Sequence, residues 1–336
     1  MRSVSIVIPT LNCAGVLTMC LASIAEQDYP RELVEIVIAD GGSVDDTLIV
    51  AKSYTEKIYP NPLQTGEAGK AIAVKHAQNE IVAFIDSDNV LPSQDWLLRM
   101  VEPFEDEEVV GAEPLEYTYR SGDGYITRYC ALLGMNDPLC LFLGNYDRQS
   151  VLTGTWTGLP VALEERGNWL RLTLQDGAIP TIGANGTLLR RQVFAESGLV
   201  GDYLFDIDVI ATLCHRGPVH FAKVKTGIVH LYCGSSITLF LRKQRRRIND
   251  FHYYQKRGLR SYPWQRSRKR GVLKFAIASL TVFPLLGQTL VGYRRKPDPA
   301  WLFHPLACWL TLWTYGWASI RSIFRPQIER REQWRQ

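Results

Sequence analysis

The sequence predicts an α/β protein: a doubly wound, mostly parallel sheet, followed by a basic helical collar and two apolar C-terminal helices. Three observations carry this. Short β-branched runs alternate with helix-period segments through the first hundred residues, the pattern of repeated β-α-β units. Charge is segregated: residues 1–240 hold 17 Lys and Arg against 30 Asp and Glu, residues 241–274 hold 13 against 1, and residues 275–336 hold 8 against 3. Two charge-free stretches of membrane length, Phe275–Tyr293 and Pro299–Ile320, close the chain.

Taken in order, Val4–Pro9 is a continuous apolar run suited to a strand buried on both faces. Asn12 is placed to cap the next helix, where Leu17, Cys20, Leu21 and Ile24 recur at helical spacing. Val34–Ala39 is a second buried strand, ending at Asp40; Gly41-Gly42-Ser43 then turns the chain into a helix through about Tyr54. A helix near Gly69–Gln78 leads to the strand Ile81–Ile85, which stops at Asp86-Ser87-Asp88. Residues 113–180 lose this rhythm and are read as a variable insertion on the acceptor side of a domain spanning 1–240. Regularity returns at 181–189, 205–217 and 227–231. The collar is 241–274, and 275–336 is an apolar hairpin with a basic tail.

Five residues, Arg294–Asp298, join the two apolar segments, and three of them are basic. Basic residues on the far side run against the positive-inside tendency, so a spanning hairpin, a shallow re-entrant or interfacial one and a pair of buried soluble helices all stay open. Trp309, Trp313 and Trp317 form a stripe that could face lipid or the partner helix. The 336 residues, 46% apolar, exclude a disordered chain and a small disulfide scaffold. Seven cysteines without a Cys-x-x-Cys pair speak for reduced thiols, and the apolar run at the start is too short for a signal peptide. The expected location is a membrane surface, with the first domain in the cytoplasm.

Carboxylates dominate the candidate chemistry. Asp86 and Asp88, two apart at a strand end, can share a divalent cation that neutralises a diphosphate; the same spacing also suits a helix cap. Asp206-Ile207-Asp208 is a second such pair. Lys70, Lys75, Arg190 and Arg191 read as solvated side chains rather than phosphate ligands.

The blocks Val4-Ser5-Ile6-Val7-Ile8-Pro9-Thr10, Ala39-Asp40-Gly41-Gly42-Ser43 and Phe84-Ile85-Asp86-Ser87-Asp88 resemble, in order and spacing, the nucleotide-binding half of family-2 inverting glycosyltransferases of the GT-A fold. The resemblance implies that Pro9 and Thr10 shape the base pocket and that Asp40 meets the base edge. It puts Asp86 near ribose and metal, and Asp88 on the metal. Gly183-Ala184-Asn185-Gly186 looks like the loop that approaches the donor sugar, so Gly183 and Asn185 count as donor-binding. Phe205-Asp206-Ile207-Asp208 looks like the following acidic motif, with Phe205 where the family usually has Glu. Asp206 is then the expected base and Asp208 its alternate, although both also suit the start of a helix. His230 lies where the fold often has a metal-holding histidine, or is a satisfied strand histidine.

Processive synthases of this family carry Gln-x-x-Arg-Trp. Here Gln244 and Arg247 match but Ile248 replaces the Trp, which implies single-sugar transfer. The expectation is a transferase dependent on Mn2+ or Mg2+, with a nucleotide-sugar donor, a lipid-linked or glycan acceptor and anionic membrane lipids as partners. A polyprenyl-phosphate sugar synthase and a non-catalytic membrane scaffold are the alternatives. The basic collar lacks a nucleic-acid module, so no nucleic acid is expected.

Overall fold

The structure is a computed structural model that describes residues 1–197, 201–256, 258, 260–262 and 269–324. Its strands are β1 (Val4–Thr10), β2 (Val34–Asp40), β3 (Ile58–Pro60), β4 (Ile81–Phe84), β5 (Asn89–Val90), β6 (Val109–Thr118), β7 (Ala162–Arg166), β8 (Trp169–Leu174), β9 (Thr187–Arg190) and β10 (Val219–His230). Its helices are α1 (Ala14–Ala25), α2 (Thr47–Lys52), α3 (Gly66–His76), α4 (Trp96–Val101), α5 (Tyr125–Leu133), α6 (Leu139–Leu143), α7 (Gln192–Ser197), α8 (Asp206–Cys214), α9 (Ile237–Lys256), α10 (Lys269–Thr281), α11 (Phe283–Arg295) and α12 (His304–Phe324). They gather into two compact units, residues 1–115 with 160–230 and residues 116–159 with 231–336.

The first unit is built on one sheet with strand order β3-β2-β1-β4-β9-β6-β10-β8-β7, and β5 adds to β10. The expectation of a mostly parallel sheet holds for only half of it. β3, β2, β1 and β4 run parallel, whereas β9 pairs antiparallel with β4 and β6, β8 antiparallel with β10 and β7, and β5 antiparallel with β10. The inner parallel strands β1 and β4 are buried on both faces, whereas β2 is half-buried at its start and the edge strand β3 is partly exposed. The segment expected as one insertion contributes the β7–β8 hairpin to this sheet, while residues 116–159 belong to the other unit. Asn12 does not cap α1. It sits at φ 47°, and its Oδ1 accepts from the Val44 N–H at 2.8 Å, which binds two loops together.

Gly69 lets α3 lie against the end of β1: a Cβ there would stand 2.8 Å from Pro9 Cβ. Gly186 is held at φ +80°, where a Cβ would meet Ile228 Cδ1 at 2.8 Å, so the loop before β9 needs a glycine twice over.

The second unit packs α5 around Trp301, Phe303 and His304; Tyr129 bonds His304 Nδ1 at 2.8 Å. Gln244 is fully buried. Its amide donates to the Asn136 carbonyl at 2.9 Å, and its Oε1 accepts from Arg247 at 2.8 Å and from the Tyr315 hydroxyl at 3.0 Å. The first apolar segment is not one helix. It breaks at Val282, just before Pro284, which cannot donate a backbone bond, and α10 and α11 meet at 92°. Among the described residues no single helix is long and apolar enough to cross a membrane, although the bent pair passes on combined length and composition. Of the expected collar, 257, 259 and 263–268 lie outside the described residues, as do 325–336 of the tail.

Candidate active site

In the first unit the ends of β1, β2 and β4, the start of α8 and the end of β10 supply the predicted residues. Asp40, at the end of β2, is buried and already saturated. Its carboxylate accepts from Thr10 Oγ1 at 2.8 Å, the Gly42 N–H at 2.9 Å, the Ser43 N–H at 2.8 Å and Ser43 Oγ at 2.6 Å. A carboxylate offers about four acceptor positions. Asp40 therefore shapes the loop, and a base edge would have to displace one of the two hydroxyls. Pro9 lies alongside, against α3.

Asp86 and Asp88 follow β4. The backbone N–H of Asp86 donates to Asn89 Oδ1 at 3.0 Å, and Asn89 donates to Asn185 Oδ1 at 3.0 Å. Fully buried Asn89 thus stitches the strand-end carboxylates to the glycine loop. β5 pairs Asn89 with His230 across the sheet, and this register brings His230 Nε2 to 3.4 Å from Asp88 Oδ2. Burial raises the Asp86 carboxyl above its ordinary range; Lys70 and His230 pull it down, Asp88 and Asp206 push it up. Those four charges and Asp86 form one electrostatic cluster.

Asp206 opens α8, where the exposed N–H dipoles favour an acid, and is 6% exposed. Its Oδ2 accepts from Lys70 Nζ at 2.9 Å, a buried ion pair. Its Oδ1 is buried and has no hydrogen-bond partner among the described residues. Burial alone would lower the Lys70 ammonium, but Asp206, Asp86 and Glu67 outweigh it and the net direction is upward. Asp208 is buried in the same turn, its N–H donating to the Phe205 carbonyl at 3.0 Å. Gly183 fixes the other loop through its carbonyl, which accepts from Thr187 Oγ1.

A strand-end acidic pair, a facing histidine and a buried helix-start carboxylate occupy one edge of a mixed sheet. Residues 5–147 match the family described as Glycosyl transferase family 2. The chain carries a family 2 glycosyltransferase domain. Glycosyltransferase AglE of Haloferax volcanii is 29% identical over 140 residues, 39% of this chain and 45% of that protein. A dolichyl N-acetyl-alpha-D-glucosaminyl phosphate 3-beta-D-2,3-diacetamido-2,3-dideoxy-beta-D-glucuronosyltransferase of Methanococcus voltae is 33% identical over 112 residues, 31% of this chain and 35% of that one. The matches thus span less than half of these relatives. Among solved structures, the mannosyltransferase PcManGT of Pyrobaculum calidifontis, in complex with GDP-Man and Mn2+, superposes with a TM-score of 0.51 at 16% identity over 94% of this chain and 87% of that one. That likeness concerns the fold, and the mixed sheet is consistent with GT-A.

The expected metal set of Asp86, Asp88 and His230 is only partly gathered. Asp88 faces His230, but among the described residues no three His, Cys, Asp or Glu side chains converge as a metal nest. The arrangement fits a hard cation that takes one or two carboxylates and completes its shell with substrate phosphate and water. Two residues were missed by sequence reading. Lys70 looked like a solvated helix lysine, yet it is buried against a carboxylate 136 positions away. Asn89 carried no signal beyond its place after the acidic pair. Arg190, by contrast, is a strut: it bonds the Val109 and Phe104 carbonyls and pairs with Glu80 at 3.1 Å. Lys75 is exposed, as expected.

Proposed function

We propose that the protein is a membrane-attached inverting glycosyltransferase that moves one sugar from a nucleotide-sugar donor to the hydroxyl of a lipid-linked acceptor, as in cell-surface glycan assembly. The observation that carries this is Asp206: one carboxylate oxygen is pinned by Lys70, and the other is buried without a partner. An acceptor hydroxyl at Oδ1 would hand it its proton as the oxygen attacks the anomeric carbon and the nucleoside diphosphate departs. Lys70 is a positioning residue that fixes the rotamer of this base. The Gly183–Gly186 loop and Asn185 would border the sugar, and Pro9, Thr10 and the Asp40 loop the nucleoside.

Asp88 and His230, with Asp86, would hold Mn2+ or Mg2+. Bound there, the cation supplies charge compensation for the departing diphosphate. PcManGT, named as a complex with GDP-Man and Mn2+, supports this choice of donor class and ion. The Methanococcus voltae relative, named for a dolichyl phosphate-linked acceptor, supports a lipid-linked acceptor. All seven cysteines are free, which supports a reducing, cytoplasmic side for the domain.

The test is a thermal-shift panel of UDP-, GDP- and dTDP-sugars with manganese, followed by transfer to a polyprenyl-linked acceptor. Stabilisation by one nucleotide class and chelator-sensitive transfer are expected. Full activity in excess chelator removes the cation from the proposal. Normal turnover in both Asp206→Asn and Asp208→Asn would favour a phosphate acceptor, which needs no base. The absence of both transfer and donor hydrolysis would leave the scaffold reading.

A further inference from the structure

The second unit holds a groove of about 710 Å³ between α9 and α12 that no step of sugar transfer uses. Its α9 wall presents Arg242, Arg245 and Lys256 on one helical face, and its α12 wall presents Trp313, Trp317 and Arg321. Among the described residues no carboxylate lines it. Arg242 and Arg245 are exposed and make no ion pair among the described residues. Lys256 already donates to the Ser322 carbonyl at 2.9 Å, and His252 bonds Ser319 at 3.1 Å, so side chains tie the two walls together. Trp313 and Trp317 are 57% and 69% exposed, a large apolar area left open beside the exposed Arg242 and Arg245.

We propose that this groove is a binding site for an anionic membrane lipid. Arg242 and Arg245 hold the phosphate of the headgroup, and an acyl chain runs along Trp313 and Trp317. The charge is complementary, since guanidinium forks match phosphate oxygens. The indole faces offer apolar contact with a polar edge, as tryptophan does at a membrane boundary. The apolar continuation is at hand, because α12 also exposes Trp309 and Ile320. The inference rests on the membrane-attached part of the proposed function and not on the transfer chemistry.

The experiment is isothermal titration of the full chain in a neutral detergent with three probes: dioctanoyl phosphatidic acid, dioctanoyl phosphatidylcholine and inorganic phosphate. These lipids are soluble, so binding in the groove is read even if the protein proves not to be membrane-attached. Saturable binding of the phosphatidic acid is expected, with the zwitterionic lipid and free phosphate at least about tenfold weaker. Arg242→Gln/Arg245→Gln should weaken it about tenfold or more, and Arg242→Lys/Arg245→Lys should restore most of the affinity. Lys269→Gln/Arg270→Gln removes the same charge from exposed positions on α10 outside the groove and should change it about twofold or less. Trp313→Ala/Trp317→Ala should weaken the lipid while leaving the phosphate affinity unchanged. Equal losses in the two glutamine pairs would mean diffuse attraction and overturn the site. So would non-saturable binding, or free phosphate binding as tightly as the lipid.

Discussion

The two units differ in the balance and placement of their charge. The first carries 14 Lys and Arg against 26 Asp and Glu, the second 24 against 8. In the first, ionic groups go inside and are matched there: Lys223 and Glu113 pair at 2.5 Å with both side chains fully buried, and Lys70 pairs with Asp206. The second also buries a pair, Arg148 with Asp147, but most of its arginines on α9 stand on the surface, while α10, α11 and α12 leave Leu280, Phe283, Leu286, Trp313 and Trp317 exposed. A buried ion pair fixes geometry, because either partner alone in a low dielectric is costly. A surface arginine beside exposed apolar area fixes nothing internally; its natural complement is an anionic, apolar-backed surface. The net charge of +4 conceals an acidic unit and a basic one with exposed arginines and apolar side chains.

The largest effect should come from breaking the matched interior. Lys223→Met strands the Glu113 carboxylate in the core and should destabilise the first unit by about 3–5 kcal/mol, read by chemical denaturation. Lys223→Met/Glu113→Leu should recover most of that loss; if the double variant is as unstable as the single, packing and not charge accounts for the effect. Next is Asp206→Asn, which keeps an oxygen for Lys70 but removes the base. Turnover should fall about 100-fold or more while nucleotide-sugar binding, followed by thermal shift, is retained. A loss confined to KM would contradict the role of Asp206.

The exterior is broken differently. Full-length protein should remain with membranes after a 1 M salt wash and leave only with detergent. Salt shortens the screening length from about 10 Å at 0.1 M to about 3 Å, but it does not weaken apolar burial. Release by salt alone would mean that arginines hold the second unit and the exposed apolar helices do not.

The smallest effect is again internal. Glu35 is partly desolvated, which raises its pKa, but bonds from Lys57, Ser5 and the Gln78 N–H lower it further, and the net direction is down. A depressed folded pKa gives stability that is present above the ordinary carboxyl value and lost as pH falls through the folded one. Glu35→Gln should therefore cost about 1 kcal/mol at neutral pH, and the difference should shrink as pH falls below the ordinary carboxyl range. A gap independent of pH would place the effect in packing.

How much of this was legible follows from the range of each interaction. The parallel half of the sheet was readable because strands covered on both faces must be continuously apolar, as Val4–Thr10 and Ile81–Phe84 are. The antiparallel strands were readable only in part: 181–189 and 227–231 stood out as regular and hold most of β9 and the end of β10, but Ala162–Arg166 is exposed throughout and has no apolar pattern to see. The Asp86–Asp88 pair announced itself by its place after a strand. Its connection to Asn185 through Asn89, and that of Lys70 to Asp206, depend on chain crossings that local spacing does not encode. Asp40 was legible as a strand-end acid, but three of the four donors that fill it come from a turn whose geometry the glycines only hint at, and the fourth comes from Thr10 on the neighbouring strand. A kink in Phe275–Tyr293 was legible from Pro284 in mid-segment; its 92° sharpness and its place at Val282, at φ 64°, were not.

That break has a mechanical consequence. Each leg of the bent pair is 13 residues, or about 20 Å of helix, against a hydrocarbon thickness of about 30 Å. Legs set at 92° cannot both stand along the bilayer normal, so an inserted pair would occupy area in one leaflet and little in the other. A one-sided wedge of this kind relieves packing defects on a convex surface. The protein would then sort itself by curvature, binding 30 nm vesicles in preference to 200 nm vesicles of the same lipid, with straightening at Val282 abolishing the preference.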